Sequence, residues 1–134
     1  MLLPHGTIIA LVDGDKFELF RNTGNEASPE LTAQSTPSLD LHNHSAGIRH
    51  DSNKGNPSGH HKMEDVHAAA VVDWLNKQVL DHKIENVVII AAPRTLGEMR
   101  AHYHSKLEQA LLGELSKDLI GRKGPEIIEA LRGK

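Results

Sequence analysis

The side chains able to do acid–base or ligand chemistry sit in a few places along the chain. Six of the ten histidines (His42, His44, His50, His60, His61 and His67) fall between positions 42 and 67. Imidazole titrates near neutrality and ligates transition metals readily. His42-x-His44 and the adjacent His60 and His61 offer nitrogen donors, with Asp40, Asp51 and Asp65 close in sequence as oxygen donors. The spacing matches no helical H-x-x-x-H arrangement, however, and a polar loop must be ordered at an entropic cost before it chelates. The expectation is therefore no bound metal and no other cofactor, with His42 and His44 the nearest approach to a ligand pair. Asp13, His67, His60 and His61 are the candidates for acid–base catalysis. Arg94 is the candidate for holding an anion.

The elements that position these groups can be read from apolar spacing. Thr7 to Val12 (TIIALV) is a short apolar, β-branched run and predicts a buried strand. Asp13-Gly14-Asp15 follows, then Lys16 to Arg21 with alternating apolar residues, so a hairpin is expected with glycine supplying a positive φ. Glu30 to Ser35 predicts a third strand. Thr36 to Lys62 differs in character: only Leu39, Leu41, Ala46 and Ile48 are apolar among 27 residues. So long a polar stretch inside one domain reads as a functional or mobile loop.

From about Met63 to His82 the pattern is helical, with Ala68, Val71, Val72, Leu75 and Val79 on one face. Glu64 and Asp65 are expected in its first turn, favoured there by the helix dipole. His67, read at a helix start, is expected neutral. Asn86 to Ala91 (NVVIIA) predicts a buried strand parallel to the first. Thr95 to Glu98 fits a capping box with Thr95 as N-cap. Leu96, Met99, Tyr103, Leu107 and Ala110 form the stripe of the helix behind it. A fifth strand is expected within Leu111–Leu119, and Pro125 suits the first turn of a last helix with Ile127, Ile128 and Leu131 on its apolar face.

This order, βββαβαβα, describes an α/β chain with a ribonuclease-H-like mixed five-stranded sheet: three antiparallel strands, then parallel strands with crossover helices. The length of 134 residues suits a single domain spanning 1–134. With 38% apolar and 25% charged residues the composition is that of a globular protein. No run approaches the roughly 18 apolar residues of a membrane span. Met1-Leu2-Leu3-Pro4-His5-Gly6 lacks the basic start and apolar core of a signal peptide, so a cytoplasmic protein is expected. Without cysteine, disulfides and thiol chemistry are excluded. A net charge of −3 gives no general attraction to nucleic acid or membrane.

Ligands on open α/β sheets bind outside the carboxyl ends of parallel strands. If the first and fourth strands are neighbours, Asp13 lies beside Ala92-Pro93-Arg94. Arg94, Thr95 and the helix start would then form an anion-binding corner, with Asp13 or Asp65 as the internal alternative partner of the arginine. A two-metal nuclease would need several converging carboxylates. Asp13 and Asp15 point apart in an extended chain, and the NVVIIAAP run carries no third.

The stretch Ala92-Pro93-Arg94-Thr95-Leu96-Gly97-Glu98-Met99-Arg100 resembles the bacterial host-attachment protein family. Leu3-Pro4-His5-Gly6-Thr7, Asp65-Val66-His67 and Ser116-Lys117-Asp118-Leu119 are similar to further landmarks of that family, so the likeness spans nearly the whole chain. The family's members look like relatives of the central domain of archaeal and eukaryotic peptide-chain release factors. The resemblance implies the same sheet and association with ribosomes or RNA; Arg94, Thr95, Asp65 and Arg100 are the ligand-binding candidates for that role. It departs at one point. Release factors place a Gly-Gly-Gln on the loop between the third strand and first helix to position water, whereas Thr36–Lys62 contains no glutamine. That hydrolytic mechanism is not carried over. A hydrolase of esters or phosphoesters and a partner-binding protein in attachment or surface physiology stand as alternatives. The oligomeric state is left open.

Overall fold

The computed structural model describes residues 1–39, 41 and 59–133, the side chains of residues 59–62 aside. Five strands, β1 (Ile8–Val12), β2 (Phe17–Asn22), β3 (Leu31–Gln34), β4 (Val87–Ala91) and β5 (Leu111–Ser116), make one sheet in the order β3-β2-β1-β4-β5. The pairs β1·β2 and β2·β3 are antiparallel, and β1·β4 and β4·β5 are parallel. This is the mixed, ribonuclease-H-like arrangement that the element order predicts. The helices are α1 (Gly59–Leu80), α2 (Pro93–Arg100), α3 (Ser105–Ala110) and α4 (Gly124–Leu131).

β1 and β4 are buried along their full length, as their unbroken apolar runs require of central parallel strands. One face, carrying Ala10, Val12, Val87 and Ile89, packs under Val71, Val72 and Leu75 of α1, Leu96 and Met99 of α2, and Leu107 of α3. The other face, carrying Ile9, Leu11, Val88 and Ile90, is closed by Ile127 and Leu131 of α4 with Leu3. Aromatic residues sit at the margins, where Phe17 meets Trp74 edge-on at 5.8 Å. The N-terminal segment is tied to the buried Asn22, whose amide donates to Leu3 O at 2.8 Å and whose Oδ1 accepts from Gly24 N and Glu30 N.

The structure corrects several boundaries. α1 begins at Gly59, not near Met63, and ends at Leu80. Glu64 and Asp65 therefore lie in its second turn and His67 well inside it, so the dipole argument for all three falls away. The helix after β4 starts at Pro93 with Ala92 as N-cap, and no side chain caps it. Thr95 is a buried residue of its first turn, because proline at N1 is already pre-organised for helix and shifts the start three residues earlier. The expected single helix breaks into α2 and α3: His104 turns extended, and its Nδ1 accepts from Lys106 N to cap α3. His42, His44, Asp40, Asp51 and most of the Thr36–Lys62 stretch lie outside the described residues.

Candidate functional site

The carboxyl ends of β1 and β4 meet where Val12 pairs with Ala91 and Ala92 N donates to Val12 O. Asp13 opens the turn into β2. Its Oδ1 accepts from Asp15 N at 3.0 Å and Lys16 N at 2.7 Å, while Asp13 N donates to Lys16 O at 3.1 Å. These bonds make an Asx-type turn, a role that aspartate fills by mimicking a backbone acceptor. Gly14 is absent from the glycines of positive φ, contrary to the hairpin expectation. Its small size matters for another reason: a Cβ at Gly14 would come within 2.5–2.9 Å of the Glu64 side chain. The first turns of α1 thus press directly on this backbone.

His67 is 8% exposed, and its Nε2 lies 3.0 Å from Lys16 O. A carbonyl only accepts, so Nε2 carries the proton and donates it. The ring ties α1 to the β1–β2 turn. Arg94 ties α1 to the other side of the corner. Its Nη2 lies 3.2 Å from Asp65 Oδ1, and its Nε lies 3.7 Å from Glu64 Oε1. The guanidinium is 52% exposed, against 28% and 23% for its two partners. Arg94 and Asp65 are thereby brought together, while Glu64 rests on the turn that Asp13 opens and His67 bonds the same turn. His60 and His61 lie on the first turn of α1, their side chains outside the description.

Arg100 lies apart from this corner. Its Nε and Nη2 both donate to Glu114 Oε1 of β5, at 3.0 and 2.8 Å, and Tyr103 OH donates to Glu114 Oε2 at 2.6 Å. The hydrogen bond and charge of Glu114 raise the Arg100 pKa above its ordinary value. Burial first, and the Glu114 hydrogen bond second, push the Tyr103 phenol far above its own. Glu114 fixes the end of α2 to β5.

In charge the corner is acidic. Its segments carry Asp13, Asp15, Glu64 and Asp65 with Lys16 and Arg94, four carboxylates against two cations. Among the described residues no group of three or more His, Asp or Glu converges as a metal site. No helix among them is long and apolar enough to cross a membrane.

A family model described as bacterial archaeo-eukaryotic release factor family 12 matches residues 6–131, which include the whole sheet, the corner and the Pro93–Arg100 helix. The chain belongs to this release-factor family. No curated protein matches it. Family membership accords with the order of strands and with the specific Pro-Arg-Thr-Leu-Gly-Glu stretch, which forms the start of α2.

Sequence reasoning missed two groups in this release-factor-family chain. Glu64, taken only as a helix-start charge, is both a partner of Arg94 and the side chain that rests on Gly14. Glu114 is the acceptor shared by Arg100 and Tyr103. Its signal was present, as a lone carboxylate within the otherwise uncharged Leu111–Ser116 run.

Proposed function

We propose that the protein is a cytoplasmic, ribosome- or RNA-associated binding protein of release-factor ancestry, acting as one domain over 1–134 and without Gly-Gly-Gln hydrolysis. The observation that carries this reading is the family match over residues 6–131, taken with the absence of glutamine from Thr36–Lys62. Arg94, Thr95, Asp65 and Arg100 are the proposed contact residues. Arg94 and Arg100 are 52% and 56% exposed while ion-paired, so an incoming phosphate would share or displace a carboxylate rather than enter an empty pocket. Binding is favoured over ester or phosphoester hydrolysis by how the acid–base candidates are used. Asp13 is spent on its turn, and His67 Nε2 on a backbone carbonyl.

Co-sedimentation with ribosomes at low and high salt tests the reading. Association at low salt that weakens steeply as salt rises is expected, since phosphate contacts release counterions. Absence of association at low salt, or turnover of a peptidyl-tRNA, ester or phosphodiester by the purified protein, would overturn it.

A further inference from the structure

We propose that the protein binds a free aliphatic amino acid in a cleft at the amino-terminal edge of the sheet, the end opposite the Asp13–Arg94 corner.

The cleft holds about 450 Å³, within the range of small-molecule sites, and opens between the end of α1, the approach to β4 and the end of α3. Val79, Ile84 and Ala110 line it with aliphatic surface, and Ile84 and Ala110 are buried. His82, Glu85 and Lys106 bring polar groups to the same cleft. Glu85 lies two residues before β4, and Ala110 runs directly into β5, so the sheet holds both sides in place.

The backbone supplies the first reason to expect a ligand. His82 has a φ of 61°, and among the described residues no other non-glycine residue has a positive φ. It follows α1 where helices commonly end on glycine, with Lys83 N donating to Gln78 O at 2.9 Å. Glycine reaches this conformation without steric cost, and histidine does not. The turn is closed by backbone groups, and among the described residues the imidazole makes no hydrogen bond. What the ring does is line the cleft. Strain of this kind gathers at ligand sites.

Charge supplies the second reason and selects the ligand. On other exposed surfaces opposite charges close on each other, as in Asp73 with Lys77, Glu98 with His102, and Glu126 with Arg122. Glu85 and Lys106 line one cleft with opposite sign, yet among the described residues neither makes an ion pair or a side-chain hydrogen bond. They sit on different elements, Glu85 before β4 and Lys106 on α3. The carboxyl end of α1 adds partial negative charge on the Glu85 side. A zwitterion meets both: its ammonium turns to Glu85 and its carboxylate to Lys106, while imidazole offers one donor and one acceptor. An aliphatic side chain then lies on Val79, Ile84 and Ala110 and leaves water. A molecule with one charge leaves the other side unmet.

Amide-resolved titration of the full chain with leucine tests this. Saturable shifts are expected at Ile84, Glu85, Lys106 and Ala110, at roughly millimolar leucine because the cleft is open. Leucine amide lacks the carboxylate, N-acetylleucine the ammonium, and glycine the aliphatic chain; each should bind several-fold more weakly. Lys106→Gln should weaken leucine several-fold and leave leucine amide unchanged, a selectivity that a disturbed fold would not produce. His82→Gly should raise the melting temperature and lower the affinity for leucine. The proposal is overturned by the absence of saturable shifts, or by any of the three analogues matching leucine. It is equally overturned if Lys106→Gln weakens leucine and leucine amide alike, or if His82→Gly keeps the parent's affinity.

Discussion

Replacing Arg94 by alanine tests what the corner's central cation does for the fold. The substitution removes two ion pairs, to Asp65 at 3.2 Å and Glu64 at 3.7 Å, made by a guanidinium that is 52% exposed. Pairs open to solvent each contribute about 0.2–1 kcal/mol. Against this, a cation in the first turn of α2 opposes the helix dipole by about 0.3–1 kcal/mol, an unfavourable interaction that the variant loses. The net loss expected is about 0.5 kcal/mol, or about 2 °C in melting temperature for a domain of this size. A fully buried pair broken on one side would instead cost about 3–5 kcal/mol. Salt separates the cases further, since the screening length falls from about 10 Å at 0.1 M to about 3 Å at 1 M and weakens exposed pairs first. Urea denaturation of parent and variant at both salt concentrations, with unchanged slope, is the assay. A loss above about 3 kcal/mol that salt does not reduce would refute the solvent-screened picture of this clasp. No loss at either salt concentration would show that the ion pairs do no more than offset the dipole penalty.

Two further outcomes follow from the same packing. Gly14→Ala drives a methyl into Glu64 and should cost about 1–2 kcal/mol of overpacking, relieved when Glu64 is also alanine; a double-mutant cycle by urea denaturation showing no coupling would contradict the contact. Tyr103 is the chain's one tyrosine, and its pKa is raised by burial and by Glu114, so its contribution to stability is present below the unfolded value of about 10 and lost as pH rises above it. Ultraviolet titration should therefore find the phenol un-ionised in the folded protein at pH values where the urea-unfolded chain already absorbs as tyrosinate, and coincident titration curves would refute the burial argument.

How much of this was legible beforehand differs between backbone and site. TIIALV and NVVIIA could be assigned because an unbroken β-branched run of that length has few other ways to bury itself, and both became central strands. Pro125 marked the first turn of α4 by its fixed φ. The start of α2 was misread because Thr95-x-x-Glu98 and Pro93 are both start signals in adjacent frames, and periodicity does not rank them. The break between α2 and α3 was hidden because Leu96 to Ala110 keeps a helical stripe even across the extended His104. The start of α1 was obscured because Gly59–Lys62 is polar and carries no apolar phase to read.

The sequence by itself determined the order of the five strands along the chain and the parallel sense of β4 to β1, and hence which strand ends could form a corner if the two lay side by side. Those properties depend on short-range periodicity and on the handedness of crossovers, both local to the chain. Only the tertiary structure decided what each polar group at the corner touches. Arg94 meets Asp65 across 29 positions, and His67 meets Lys16 O across 51. Such pairings depend on the relative placement of helix and sheet to within an ångström or two, because a hydrogen bond or ion pair weakens steeply beyond that reach. Apolar burial tolerates a shift of that size, so it can be read from pattern alone; directional polar contacts do not.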